Sequence, residues 1–345
     1  MAAMEPFCKT IKVFYVRKWL LPFQIFLGWV EGLPLQVSYF LDRTIKRSVQ
    51  HYIIHLEPDH VICQLIRAAP YVRALPFAKT LDYMDVFSVG MIQLAEKYPL
   101  FGFVFRSEAK RLAAYERTVY KDFEKHTIIS RQDRDRLNLA AHDQVLVVPN
   151  GVDERFIPPH NKSKPSYDLV FVGNLGYGPN QDAARYLVRK LLPSLQQRGL
   201  VPTLLLAGAR PGITVRKLAG HQGVEIRGWV DDIRDAYADG RIFVAPMFTG
   251  LGLQNKILEA MAMGLPCITT SMVNNAVGAE SGKEILVADT LEGLADHVQN
   301  LMANEQLYSE IASAGRAFIL AHYQWEDQVQ KLLTFIESKN MYEKK

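Results

Sequence analysis

Apolar and polar residues follow a more regular pattern after residue 166 than before it. Short apolar runs typical of buried strands alternate there with segments whose apolar residues recur at helical spacing. The strand segments are 169–173, 203–208, 224–228, 242–246, 266–270 and 284–288. The main helical segments are 179–198, 213–219, 231–238, 290–303 and 305–321, with one more helix that Gly264 ends. This alternation predicts βαβ units and a parallel sheet with helices on both faces, so the predicted fold class is α/β.

The first 150 residues contain strands and helices in a less regular order. The strand segments are 10–16, 60–66, 126–130 and 144–149, and longer helices are predicted over 41–58 and 106–125. Asn150 and Gly151 predict a turn, and the stretch after them is rich in Pro, Lys and Ser. We therefore predict a first domain at 1–150, a linker at 151–166 and a second domain at 167–325.

The segment 17–30, "RKWLLPFQIFLGWV", is the most membrane-like part of the chain. Its uncharged run is too short to span a bilayer, and Pro22 interrupts it. Its aromatic residues behind two cations (Arg17, Lys18, Trp19, Phe23, Phe26 and Trp29) fit a helix lying in a membrane interface. The alternative is an ordinary helix of the core.

Composition and charge narrow the function classes. Hydrophobic residues make up 49% and charged residues 22%, as in ordinary globular proteins. Residues 1–150 carry 20 Lys and Arg against 15 Asp and Glu. This positive excess could attract anionic lipid or a phosphorylated acceptor. The alternative is that the charges are scattered over the surface and serve only solubility. A nucleic-acid role is disfavoured because basic runs are missing. Three widely spaced cysteines indicate a reducing compartment and no cysteine metal site.

The stretch 250–259 has the residues of an anion-binding loop followed by a helix. Gly250 and Gly252 would let the backbone approach a ligand closely, and Lys256 adds a positive charge. The backbone N–H groups at the start of the helix (Leu253, Gln254, Asn255 and Lys256) would point at the ligand with the positive end of the helix dipole. Glu259 could accept hydrogen bonds from a ribose diol. Together these features predict a nucleotide-diphosphate site, whereas the alternative is a surface pair of Lys256 and Glu259.

Other loops at the carboxyl ends of predicted strands supply further candidates. In the second half these are Gly173 and Asn174 for backbone contact with a substrate, Arg210 for a phosphate, and Gly228 and Trp229 for a base edge. Asp231 or Asp232 is predicted to cap the next helix and not to bind a metal. In the first half, Arg67 follows a strand, and "LDYMD" at 81–85 places two carboxylates in a predicted loop. Such a pair serves glycosidases or is merely structural.

Several motifs together resemble the family 4 glycosyltransferases of the GT-B fold, in particular the bacterial branch that acts on surface polysaccharides. They are "VVPNGVD", "FVGNLGYGPNQDAARYL", "GWVDDIRDAY", "GLQNKILEAMAMGLPCITT" and "YQW". The resemblance implies two Rossmann-like domains facing a cleft, with a nucleotide sugar bound by the second. It implies that a final helix at 326–345 crosses back to the first domain. It also implies that Glu259 holds the ribose, that the helix N-terminus holds the diphosphate, and that no metal is needed.

The chain departs from the family pattern at three places. Leu251 stands where many relatives have an additional glutamate that contacts the sugar. Cys63 and Gln64 stand where many relatives have a histidine. The segment 10–16 resembles a later strand of the family, so the first strand, its glycine-rich loop and the first helix are expected to be missing. Either the start of the sequence is misassigned or the first domain is incomplete.

We therefore expect a metal-independent, retaining hexosyltransferase without a bound cofactor. The predicted donor is a nucleotide-diphosphate sugar, and the predicted acceptor is a surface polysaccharide or lipid-linked glycan. Arg210 and Lys256 would stabilise the leaving diphosphate, and Arg67 would lie on the acceptor side. The expected location is the cytoplasm, with peripheral contact to the membrane. The alternatives are a nucleotide-sugar-binding protein without transferase activity and a sugar-nucleotide epimerase of the same fold.

Overall fold

The structure is a computed structural model that describes residues 5–157, 165–250 and 252–338. It contains two compact units, each with its own sheet. Unit 1 takes most of residues 1–147, and unit 2 takes most of residues 148–337. Both sheets are parallel and carry helices, which confirms the predicted α/β class.

The sheet of unit 1 has four parallel strands in the order β1-β2-β3-β4. They are β1 (Val61–Gln64), β2 (Lys79–Asp82), β3 (Lys125–Ile128) and β4 (Leu146–Val147). The helices in this part of the chain are α1 (Leu21–Val30), α2 (Leu35–Phe40), α3 (Arg43–Leu56), α4 (Ala69–Val72), α5 (Phe87–Lys97), α6 (Gly102–Tyr120) and α7 (Arg131–Arg136). The core of the unit is apolar and includes Leu81, Tyr83, Leu112 and Ile128, all of them fully buried.

The prediction of a strand at 10–16 is wrong. These residues have no regular secondary structure, and within the described part of the chain β1 is an edge strand that pairs only with β2. Phe14 instead packs edge-on against Tyr52 of α3, with ring centroids 6.3 Å apart. A β-branched and aromatic run favours a strand only where a partner strand can satisfy its backbone, and here the side chains pack on a helix instead.

The segment 17–30 forms a helix, but the interpretation as a core helix is wrong. Four aromatic residues of α1 and the turn before it (Trp19, Phe23, Phe26 and Trp29) are exposed. The buried positions of α1 are Gln24 and Gly28. Among the described residues, no helix is both long and apolar enough to cross a bilayer.

The sheet of unit 2 has six parallel strands in the order β10-β9-β8-β5-β6-β7. They are β5 (Tyr167–Val172), β6 (Leu204–Ala207), β7 (Val224–Arg227), β8 (Gly240–Ala245), β9 (Cys267–Thr269) and β10 (Leu286–Val287). The helices are α8 (Gly178–Tyr186), α9 (Leu192–Gln197), α10 (Ile213–Arg216), α11 (Ile233–Ala238), α12 (Asn255–Ala262), α13 (Ser271–Val277), α14 (Leu291–Ala303), α15 (Glu305–His322) and α16 (Trp325–Glu337). The chain moves outward from β5 through β7 and then returns to β8 on the other side of β5. This reversal of direction is where open parallel sheets place a ligand crevice.

The helix predicted over 179–198 is interrupted. A π-helical turn at Leu187–Leu191 separates α8 from α9, and Pro193 lies in the first turn of α9. Proline has no N–H to donate and its ring crowds the carbonyl one turn earlier, so a wider turn before it relieves the clash. The end of α12 follows the prediction, because Gly264 adopts a left-handed backbone at φ +72°.

Candidate functional site

A cavity of about 730 Å³ lies in unit 2, beyond the carboxyl ends of β5, β6 and β7. Its lining combines backbone from the loops after these strands with side chains from α11 and α12. The lining residues are Arg155, Phe156, Val172, Gly173, Asn174, Gly208, Ala209, Arg210, Trp229, Val230, Asp231, Asp232, Ile233, Arg234, Tyr237, Lys256 and Glu259. A cavity of this size can hold a nucleotide-sized molecule.

Lys256 contributes a partly buried cation to this cavity. Its ammonium donates to Asn180 Oδ1 at 2.7 Å and to Gln254 Oε1 at 3.1 Å. Burial lowers the pKa of Lys256 to about 8, and the nearby Glu259 carboxylate opposes that shift. Lys256 is therefore not part of a solvated surface pair. Its charge is held by neutral amide oxygens inside the protein.

Glu259 lies one helical turn further along α12 in the same cavity. Its Oε2 accepts a hydrogen bond of 2.7 Å from the hydroxyl of Tyr237, which is fully buried on α11. Burial raises the pKa of Glu259, while the Tyr237 hydroxyl and the Lys256 cation act in the opposite direction. Among the described residues, Oε1 has no hydrogen-bond partner. The Tyr237 hydroxyl thus holds Oε2 of Glu259 in place, and Oε1 is available to a ligand.

Two glycines bring the loops after β5 and β6 together. Gly208 has φ +138°, and a Cβ at this position would lie 1.8 Å from the carbonyl oxygen of Gly173. A Cβ on Gly173 would in turn lie 2.9 Å from Asn180 Nδ2 and 3.3 Å from Lys256 Cε. Side chains at these two positions would push the loops apart and fill the space beside Lys256. The glycines therefore shape the wall that carries the cation.

Arg210 and Trp229 lie at the open side of the cavity. Arg210 follows β6 in a left-handed backbone conformation (φ +55°), and its guanidinium has no hydrogen-bond or ion-pair partner among the residues that the structure describes. Trp229 is 77% exposed although it lines the cavity. Both side chains can therefore turn toward a ligand without breaking an existing contact.

Ion pairs fix the rim of the cavity. Asp232 accepts a hydrogen bond from the backbone N–H of Arg234 at 3.0 Å and also pairs with the Arg234 guanidinium. Arg234 reaches the backbone oxygen of Arg155, whose own guanidinium pairs with Asp153. Hydrogen bonds from Arg234 hold the pKa of Asp232 down at about 2. The predicted helix cap is confirmed for Asp232, which precedes α11.

The structure brings together only part of the predicted residue set. Gly173, Asn174, Arg210, Trp229, Lys256 and Glu259 all line the cavity. Gly228, Gly252, Leu253, Gln254 and Asn255 do not belong to its lining. Asn255 instead accepts a hydrogen bond of 3.0 Å from Asn150. Leu251 lies outside the described residues.

Asn180 and Tyr237 are the functional residues that sequence reasoning missed. Asn180 is 3% exposed and holds Lys256, while its own Nδ2 donates to the backbone oxygen of Asn174 at 2.9 Å. The sequence around Tyr237 is typical of an aromatic residue in a protein core. Nothing in it indicates that the Tyr237 hydroxyl donates a hydrogen bond to a carboxylate in the cavity. The signal that could have identified Asn180 is its position in the first turn of α8, directly after the glycine-rich loop that follows β5.

Arg67 lies in unit 1, directly after β1. Its guanidinium stacks 4.1 Å from the ring centroid of Phe87 and donates to Gln36. It lines a mainly apolar cavity of about 460 Å³ in unit 1.

Of the two carboxylates predicted to lie in a loop at 81–85, Asp82 instead ends β2, because Leu81 and Asp82 pair with β1 and β3. Asp85 follows in the loop, and burial raises its pKa to about 6.

Within the described ranges, no group of three or more His, Cys, Asp or Glu side chains is arranged to hold a metal ion. The positive groups of the cavity are Lys256, Arg210, Arg155 and Arg234. The last two are neutralised by Asp153 and Asp232. An anionic ligand would therefore meet its strongest attraction at Lys256 and Arg210.

A comparison with protein families finds a match to "Glycosyl transferases group 1" over residues 166–304. This range contains β5 to β10 and all of the cavity lining except Arg155 and Phe156. The cavity therefore lies almost entirely within the residues that match this family, at the end of the parallel strands of unit 2.

The chain is also similar to individual proteins and solved structures. An uncharacterized 44.6 kDa protein of the cps region of Klebsiella pneumoniae is 25% identical over 93% of this chain and 83% of its own length. A GDP-mannose-dependent mannosyltransferase of Mycobacterium tuberculosis, which acts on a phosphatidylinositol monomannoside, is 29% identical over 42% of each chain. The crystal structure of Anabaena HepE in complex with UDP-glucose has a TM-score of 0.68 at 14% identity, covering 98% of this chain and 88% of that one.

These matches confirm two of the predictions. The fold resembles that of the GT-B glycosyltransferases, and the chain is an enzyme of the hexosyltransferase type. The similarity to HepE concerns the fold alone, because the identity is low.

Proposed function

We propose that this enzyme transfers a sugar from a nucleotide-diphosphate donor to a surface polysaccharide or lipid-linked glycan. The observation that carries the proposal is the pairing of a partly buried ammonium and a partly buried carboxylate, Lys256 and Glu259, in the cavity beyond β5 to β7. A nucleotide sugar offers a diphosphate to the cation and a ribose diol to the carboxylate. Family 4 of the GT-B glycosyltransferases is the branch that we propose.

Each cavity residue takes one role in this proposal. Oε1 of Glu259 accepts hydrogen bonds from the ribose hydroxyls while Tyr237 holds Oε2 in place. Lys256 and Arg210 bind the diphosphate and stabilise the charge that grows on it as the sugar leaves. Trp229 contacts the base, and the backbone of Gly173 and Asn174 approaches the sugar. The first residues of α12 add the positive end of the helix dipole.

The same charges make a metal-independent reaction the simplest hypothesis. Lys256 and Arg210 supply positive charge on the side where the diphosphate departs, which is the role a divalent cation has in other transferases. Retention of configuration at the sugar carbon is proposed from the resemblance to family 4. Because relatives often have a glutamate at the position of Leu251, the choice of sugar is expected to depend on other loop residues.

The acceptor is proposed to bind at unit 1, with Arg67 on its side. The support is positional, since Arg67 follows β1 at a carboxyl strand end and lines a separate cavity. A phosphorylated or otherwise anionic acceptor would be attracted to its guanidinium.

Thermal unfolding with added nucleotides tests the donor site. We expect at least one of UDP, GDP and ADP, or their sugar conjugates, to raise the unfolding midpoint, since a ligand that binds only the folded state stabilises it. Lys256→Met and Glu259→Ala should abolish most of this rise. Lys283→Met is the matched control, because Lys283 is an exposed lysine of unit 2 that pairs with Glu280 outside the cavity. If no nucleotide raises the midpoint, the proposed donor site is wrong.

Release of the nucleoside diphosphate separates the alternatives. A transferase should release it from the bound donor when a suitable acceptor is present, and at a slower rate by hydrolysis. Binding without any release would support a nucleotide-sugar-binding protein. Interconversion of the sugar while it stays attached to the nucleotide would support an epimerase.

A further inference from the structure

Helix α1 is packed with its apolar face outward. Trp19 is 77% exposed, and Phe23 and Phe26 are each 60% exposed. Together with Trp29, these side chains recur at spacings of three or four residues, so they form one stripe along the helix, which we call the aromatic face. The positions of α1 that the unit buries are Gln24 and Gly28.

The packing of α1 against α2 depends on Gly28. A Cβ on Gly28 would lie 2.0 Å from Ser38 Oγ, so only glycine permits the contact with α2. The buried Oε1 of Gln24 has no hydrogen-bond partner among the described residues. A helix selected for the core would bury its aromatic residues instead of a glutamine. The outward position of the aromatic face is therefore a built feature of unit 1.

Positive charges surround the aromatic face. The Arg111 guanidinium lies 5.5 Å from the Trp29 ring centroid and donates to the backbone oxygen of Trp29 at 3.2 Å. Lys18 precedes the helix and has no carboxylate partner among the residues that the structure describes.

A basic pocket of about 520 Å³ lies at the carboxyl end of α1. It is lined by Glu31 and Leu33, which follow the helix, and by residues of α3 and its neighbourhood: Leu41, Arg43, Lys46, Arg47, Gln50, Pro70, Arg73 and Tyr115. Arg43 pairs with Glu31, and Arg73 pairs with Asp122. Lys46 and Arg47 have no ion-pair partner among the described residues, so the pocket keeps a positive balance.

We infer that the aromatic face and the basic pocket together dock unit 1 on an anionic lipid surface. The aromatic side chains would enter the region between headgroups and acyl chains, and the pocket would receive a lipid phosphate. Amphipathic helices in a membrane interface combine apolar burial with attraction between cations and anionic lipid in this way. This inference concerns a surface away from the donor cavity and does not depend on the proposed function.

A second copy of the chain is a less suitable occupant. A symmetric dimer through the aromatic face would bring the same patch of both copies together. Lys18, Lys46 and Arg47 would then face their own counterparts or lie near them, which is repulsive. An anionic bilayer neutralises these charges while it covers the aromatic side chains.

Sedimentation with lipid vesicles tests the inference. One set of vesicles contains phosphatidylcholine alone, and the other contains phosphatidylglycerol as well. We expect the wild-type chain to bind the anionic vesicles much more strongly and to lose that binding in high salt. The double variant Phe23→Ser/Phe26→Ser should bind them at least tenfold more weakly. Each cation removed by Lys46→Ala or Arg47→Ala should weaken binding about fivefold.

The control variant removes apolar side chains of similar exposure from unit 2. Val201→Ser/Ile213→Ser should bind the vesicles like the wild type. Every variant should keep its unfolding midpoint and its response to nucleotides, which separates failure of docking from failure of the fold or of the donor site. Equal binding of wild type and Phe23→Ser/Phe26→Ser would overturn the inference, as would equal binding to both kinds of vesicle. A dimer that the aromatic substitutions dissociate, without vesicle binding by the wild type, would assign the face to a second copy instead.

Discussion

The ammonium of Lys256 donates to the amide oxygen of Asn180 at 2.7 Å, so a neutral group and not a carboxylate holds this partly buried cation. Among the described residues, no carboxylate lies within ion-pair distance of Lys256 Nζ. A buried cation that lacks an ion-pair partner lowers stability, and an anionic ligand can supply the missing charge. In the function proposed above, the diphosphate of the donor is that anion.

Donor binding should depend on pH through Lys256. Because burial lowers the pKa of Lys256 to about 8, a growing fraction of the free protein is neutral there above pH 8. A bound diphosphate favours the ammonium form, so binding above pH 8 requires uptake of a proton and the affinity should fall as the pH rises. Isothermal calorimetry in buffers of different ionisation enthalpy measures the proton uptake. The variant Lys256→Met should show weak binding without this pH dependence.

The variant Asn180→Asp sharpens the same test. It places a carboxylate where the amide oxygen now lies 2.7 Å from Lys256 Nζ, which should raise the pKa of the lysine and move the loss of affinity to higher pH. An unchanged pH profile in this variant would show that another group causes the dependence.

Glu259 should contribute to donor affinity through the ribose alone. We expect Glu259→Ala to weaken nucleotide binding by about 2–3 kcal/mol, the scale for hydrogen bonds to a charged group. The matched ligand is a 2′-deoxynucleotide, which should bind the wild type more weakly than the ribonucleotide but bind Glu259→Ala about equally well. Calorimetry of the four combinations gives the coupling energy directly. Zero coupling would contradict the ribose assignment and leave Glu259 with a structural role.

The regular part of the fold could be predicted from the sequence because its signals are local. Apolar strands such as 169–173 and 203–208 are buried on both faces and have short helices between them, so their periodicity identifies them. The segment 10–16 is also rich in β-branched and aromatic residues, yet it forms no strand, and among the described residues it pairs with no strand of the sheet. Pairing partners are a property of the whole sheet, and no local pattern contains them.

The site could be predicted only where its chemistry is visible in the residue type. Lys256 and Glu259 lie in a glycine-rich context that favours an anion site, and both line the cavity. Tyr237 and Asn180 escaped notice because a tyrosine on an amphipathic helix and an asparagine after a turn have common structural roles. Conversely, Asn255 lies beside the site in sequence but does not line it, since α12 presents only one side to the cavity.

Gly208 should not tolerate a side chain. Its Cβ would lie 1.8 Å from the carbonyl oxygen of Gly173, and its φ of +138° is strained for any other residue. We expect Gly208→Ala to destabilise unit 2 by roughly 3 kcal/mol or more and to weaken nucleotide binding. Gly178→Ala is the control, because a Cβ there would meet no atom within 4 Å. Chemical denaturation of both variants measures the difference, and similar midpoints would show that the two loops can separate easily.

Asp85 should make unit 1 less stable at neutral pH than in mild acid. Burial raises its pKa from 3.8 to about 6, and the neighbouring Asp133 adds to the shift while Arg67 opposes it. Between these two pH values the folded protein keeps a proton that the unfolded chain releases. The contribution of Asp85 to stability therefore falls as the pH rises through this window and stays low above it.

The variant Asp85→Asn removes that loss. We expect it to raise the free energy of unfolding by about 1–2 kcal/mol at pH 7.5, the scale set by a shift of this size after allowance for partial exposure, and to leave it nearly unchanged at pH 4. Asp59→Asn is the control in the same unit, because Asp59 is exposed. Denaturant unfolding of the three proteins at both pH values checks the expectation. A loss of stability in Asp85→Asn at pH 7.5 would mean that the attraction between Asp85 and Arg67 outweighs the cost of burying the carboxylate.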